Sequence, residues 1–149
     1  MKQLLPLTAL ALLSCGGGHD HDHDHDHDHP HPHGDESHEH EEVSIGKAMV
    51  GELEVELAQG HGAVEAGKEC HLVVKLPYSD EGETVVRVWI GTEDRTASRI
   101  GKAEYAASHD DYDVHAIAPD PLPDGVQWWI EVEKPDGSTQ VGSAAPLTE

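Results

Sequence analysis

The chain is poor in aromatic residues, positive charge, cysteine and long apolar runs. Phe is absent, and three Trp with three Tyr make up the whole 4% aromatic content. Any core is therefore aliphatic, with a few large rings. Nine Lys and Arg stand against 30 Asp and Glu, for a net charge of −21 at pH 7. Phosphate affinity comes from clustered Lys and Arg, so this balance excludes a nucleic-acid binder and a polybasic membrane-surface protein. No segment reaches the about 20 apolar residues that span a bilayer. The motifs H-E-x-x-H, G-x-S-x-G, the P-loop, G-x-G-x-x-G and C-x-x-C are missing, so nothing supports an enzyme. What is abundant is histidine: 14 residues in a chain of 149, which is long enough for one ordinary domain.

Residues 1–14 read as a secretory signal. Lys2 supplies a minimal positive start, and Leu4 to Leu13 is an apolar stretch too short to cross a bilayer. Leu12-Leu13-Ser14-Cys15 resembles the lipobox of bacterial lipoproteins, with an aliphatic residue, a small residue and then Cys. The resemblance implies cleavage before Cys15, lipid on that residue and a place in the cell envelope. Several acyl chains on one residue exceed the marginal anchoring of a single chain. Gly16, not Asp, follows the Cys, which implies the outer membrane if the cell is Gram-negative. A lipidated Cys15 leaves Cys70 alone, so the domain has no internal disulfide to rely on.

Residues 15–42 form a linker. Three glycines are followed by an alternating His/Asp tract with no apolar face, expected to be disordered when free. Its histidines are His19, His21, His23, His25, His27, His29, His31, His33, His38 and His40. In an extended chain residues i and i+2 point the same way, so the imidazoles line one edge and the carboxylates the other. Neutral imidazole is a ligand for Zn²⁺, Cu²⁺ and Ni²⁺, and the Asp residues add field and hydrogen-bond acceptors. Many overlapping sites make a buffer of variable stoichiometry. The other reading is a solvated polyelectrolyte spacer. The tract resembles the His-rich segments of bacterial zinc-uptake binding proteins and of nickel- and copper-handling proteins. That likeness does not choose between Zn and Cu.

Residues 43–149 show short alternating runs separated by Gly, Pro and Asp turns. The pattern predicts an all-β fold: a small immunoglobulin-like antiparallel β-sandwich of about seven strands. Val43, Ile45, Met49, Leu53, Val55 and Leu57 share one parity and are expected inside. Cys70, Leu72, Val74 and Leu76 follow the same rule, with His71 outward. Further strands are expected near 85–90, 104–107, 112–117, 126–132 and 139–143, with 91–103 a loop or short edge. Leu122-Pro123-Asp124-Gly125 with Trp128, Ile130 and Val132 resembles the corner and following strand of fibronectin type III sandwiches. Lipobox, His-rich linker and one small sandwich together also resemble the YtkA/FixH-like group of copper-associated bacterial proteins.

Candidate sites on the domain are fewer. His109, Asp111, Asp113 and His115 share a parity and form a secondary metal candidate. On one strand His109 and His115 lie roughly 20 Å apart, too far for one ion, unless a turn folds His109 back. Asp113 and His115 are close enough to chelate. His61 and His71 read as single surface histidines that can join His115 only if the fold brings them together. Cys70 reads as a buried inert thiol. Met49 reads as core, and only one other Met exists, so a Met-rich Cu(I) site is excluded. Trp89 and Trp129 fall on the outward parity beside Arg87, as an exposed patch for a partner or as a covered face. Three functions are thus expected. One is an envelope lipoprotein that binds or buffers Zn or Cu, with the sandwich docking or delivering to an envelope partner. The second is a recognition module using the Trp patch, with the tract as spacer. The third is a metal-sensing sandwich with its own site at His109 to His115.

Overall fold

The alternating runs build nine antiparallel strands in the computed structural model, which describes residues 41–147. The readings of the signal peptide, of Cys15 and of the tract from His19 to His40 lie outside the described residues. The strands are β1 (Val43–Val50), β2 (Leu53–Gly60), β3 (Glu69–Lys75), β4 (Val85–Gly91) and β5 (Gly101–Lys102), then β6 (Glu104–Ala106), β7 (Asp111–Ile117), β8 (Gln127–Glu133) and β9 (Thr139–Ala144). Among the described residues there is no helix.

All nine belong to one sheet, in the order β5-β4-β8-β9-β1-β2-β3-β7-β6. The expected count of seven rises because Gly51-Glu52 splits the first long run in two and a short β5 forms at 101–102. The sheet is also continuous rather than cut into two. β1 and β9 meet through one pair, Val50 with Gly142. A Cβ on Gly142 would lie 2.1 Å from the Met49 carbonyl oxygen, so a side chain there would block the crossing. From that seam the sheet curls until β4 and β5 pack on β7, nearly closing a barrel.

The enclosed face is the core. Val55 and Leu57, Leu72 and Val74, Val86, Val88 and Ile90, Val114, and Trp128, Ile130 and Val132 are all buried at alternate positions. The buried Trp128 indole donates to Gln59 Oε1 at 2.7 Å. Met49 departs from expectation. It is 55% exposed, while Ala48 and Val50 turn inward. The cause is a bulge between Ser44 and Gly46, where Gly46 adopts a φ of 96°. One extra residue reverses every later side chain of that strand.

Candidate metal centre

β3 carries the residue on which the site is built. Its Cys70, Leu72 and Val74 face the core, and His71 faces away. An outward His on a strand is expected at the surface, yet His71 is only 7% exposed. Its neighbours explain the burial. On one side the register sets His71 opposite Gly60 of β2. Gly60 has no side chain, and a Cβ there would lie 2.9 Å from His71 Nδ1. On the other side β7 places His115 directly opposite His71, with Asp113 on the diagonal.

Side chains from four segments therefore converge. Asp113 Oδ1 lies 3.2 Å from His71 Nε2. Glu42, the residue before β1, brings Oε1 to 4.0 Å from His71 Nδ1. His61 sits in the turn after β2 with a φ of 65°. Its ring centre is 5.9 Å from that of His71 and 5.8 Å from that of His115. The His71 and His115 centres are 4.8 Å apart, their planes inclined by 18°. His115 Nδ1 lies 3.4 Å from Glu69 Oε1, and both residues are more than half exposed.

The electrostatics favour a cation. A carboxylate only accepts, so Asp113 holds the His71 proton on Nε2 and leaves the Nδ1 lone pair bare. That Nδ1 is buried without a hydrogen-bond partner among the described residues, which costs about 1–3 kcal/mol unless something binds there. One ligand atom each from Glu42, His71 and Asp113 lie within 4.8 Å of one another. Asp113 and Glu42 thus address different nitrogens of His71, the first as acceptor and the second beside the bare atom.

The secondary candidates separate into two places. His109, Asp111 and Asp113 line a neighbouring hollow of about 440 Å³ with Glu42 and Lys75. His109 thus folds back at the β6–β7 turn, as the turn alternative requires. The Asp111 carboxyl is pushed up, first by desolvation and then by the nearby Asp113 charge. Asp113 reaches across to His71, while His115 turns to His71 and Glu69. Cys70 is buried in the core, and burial pushes its thiol up, as expected of an inert thiol.

Trp89 and Trp129 point away from the core and stack with centres 6.1 Å apart. Trp89 is fully buried and Trp129 half-buried, so of the two expectations the covered face is met at Trp89 and the pair is not an exposed patch. The Arg95 guanidinium lies over its ring at 4.3 Å and is held there by Glu131. Both indoles donate to backbone carbonyls at the end of β4 and just beyond it, Trp129 to Gly91 and Trp89 to Thr92. Arg87 is engaged by Glu131 and Glu133 at 3.1 and 2.7 Å.

The sequence pattern alone missed the burial of His71 and the approach of Glu42, and left open the meeting of His61, His71 and His115 that the fold brings about. The only local sign is Gly60 beside His61, and it acquires meaning only through the β2–β3 register. No family model, curated protein or solved structure matches the chain.

Proposed function

We propose that the chain is an envelope lipoprotein, anchored through Cys15, that captures and buffers divalent transition metal. Its His19–His40 tract chelates Zn²⁺ or Cu²⁺, and the β domain serves as the docking or delivery module. The observation that carries this reading is the gathering of Glu42 and Asp113 on the two ring nitrogens of His71. Glu42 is the last residue of the His/Asp-rich linker and stands directly before β1, so a metal-competent cluster meets the point where the tract enters the domain. The chemistry of the tract agrees: alternate imidazoles are neutral at neutral pH, and interleaved carboxylates draw cations toward them. Overlapping ligand sets give many exchangeable sites of moderate strength, because each ion must order a length of chain.

Calorimetric titration of the chain from residue 16 onward tests the reading. Several Zn²⁺ or Cu²⁺ ions per chain are expected at about pH 7.4, and far fewer at about pH 5.5, where imidazole protonates. Replacing the ten tract histidines by Ser should remove most of that capacity. No binding at micromolar metal would sink the reading. The anchor is tested separately: labelled fatty acid should enter the full chain in bacteria and be lost in Cys15→Ser.

A further inference from the structure

We infer that the folded domain holds one divalent transition-metal ion of its own, ligated by His61, His71, His115 and Glu42 and distinct from the ions of the tract. The class of ion rests on the function proposed above; the site itself rests on geometry. A point equidistant from the three ring centres lies about 3.2 Å from each. An imidazole bound through nitrogen at about 2.0–2.1 Å places its ring centre at about that distance from the ion. The three ring centres, though not yet their nitrogens, are therefore spaced around a single position.

One carboxylate prepares the central ring. Asp113 Oδ1 lies 3.2 Å from Nε2 of His71 and accepts from it, the arrangement by which outer carboxylates orient metal-binding histidines. Glu69 makes only an exposed contact, 3.4 Å from Nδ1 of His115, which that ring gives up when it turns. On His71 the bare atom is Nδ1, which is buried, has no hydrogen-bond partner among the described residues and lies 4.0 Å from Glu42 Oε1. An ion between them would satisfy both atoms after a small closure, since each bond is about 2.0–2.2 Å. Asp113 is then a positioning residue and not a ligand.

The 18° between the His71 and His115 planes means that one ring must turn about χ2 to aim at the common point. The His71 side chain is 9% exposed and tied to Asp113, whereas that of His115 is 52% exposed, so His115 is the ring that turns. Three imidazoles and a carboxylate suit tetrahedral Zn²⁺, and Cu²⁺ competes by intrinsic affinity. The soft ligands that select Cu(I) are elsewhere: Cys70 faces the core and Met49 lies on β1.

The test uses the chain from residue 16 with its ten tract histidines replaced by Ser, titrated with Zn²⁺ by calorimetry and melted with and without the ion. One Zn²⁺ per chain and a raised Tm are expected, because only an ion held by the folded domain stabilises it. His115→Ala and His61→Asn, both at exposed positions, should each weaken binding by at least about tenfold. Asp113→Asn should weaken it by about 10–100-fold without changing the stoichiometry. If the tract-silenced chain binds nothing while the unaltered chain binds several ions, the domain site is wrong and the buffering tract stands. If both bind a single ion, the domain site stands and the buffering tract fails. Binding that survives His61→Asn and His115→Ala but is lost with His109→Ala moves the ion to the neighbouring hollow and overturns the assignment.

Discussion

Gln59 is fully buried, and its side chain serves three partners. Its Oε1 accepts from the Trp128 indole and from the Leu147 amide, and its Nε2 donates to the Gly62 carbonyl. One residue thus ties the core's largest ring to the chain end and to the turn that carries His61. Gln59→Leu would leave these partners unpaired. A loss of about 2–3 kcal/mol is expected, read from urea unfolding followed by Trp fluorescence. Gly60, the next residue, acts on the site directly. Gly60→Ala puts a methyl group where the His71 ring lies, so the ring must move. The expected result is a loss of about 1–3 kcal/mol in stability, together with weaker Zn²⁺ binding by the tract-silenced chain.

At the scale of elements, the pairing of β3 with β7 makes the site. It sets His71 against His115 and gives Asp113 the diagonal reach, while β2 contributes a gap at Gly60 instead of a side chain. A shift of one residue in that pairing would carry His115 to the core face, and the buried Leu72 and Val114 forbid it. The bulge in β1 supplies a control. Gly46 has a φ of 96° and no atom within 4 Å of where a Cβ would stand. Gly46→Ala should therefore cost about 1–2 kcal/mol through backbone strain alone. Zn²⁺ binding by the folded protein should be unchanged, which titration of the variant checks.

For the molecule as a whole, acid acts at two sites for different reasons. Asp80 lies in the loop between β3 and β4. Desolvation raises its carboxyl, but hydrogen bonds from Thr84, Tyr112 and Gly82 outweigh that and hold it below the usual range. A depressed carboxyl stabilises the fold above its unfolded value, near 3.9, and this contribution disappears as pH falls through the lower folded value. Asp80→Asn should therefore be less stable than the parent at neutral pH. The gap should narrow below about pH 4, as urea midpoints across that range would show. Metal release should come earlier, between about pH 7 and 5.5, because ligation needs neutral imidazole. Competition with a colorimetric chelator across that range would separate the two transitions.

The all-β class, the positions of most strands and the inward set of Cys70, Leu72, Val74 and Leu76 were legible in the sequence. Period-two alternation and turn residues are local properties, and each strand carries its own. The chelating composition of the tract is equally local. Met49 could not be read correctly, because a bulge changes parity without leaving a hydrophobic signature. For Trp89 an exposed and a covered face both stayed open, because its cover comes from Arg95 in a loop that shows no pattern. The metal centre was the least legible part. His61, His71, His115 and Glu42 come from segments far apart along the chain, and sequence spacing says nothing of which strands pair or in what register. Only the closing of the sheet, with Gly60 opposite His71 and β7 on its other side, gathers those side chains into one cluster.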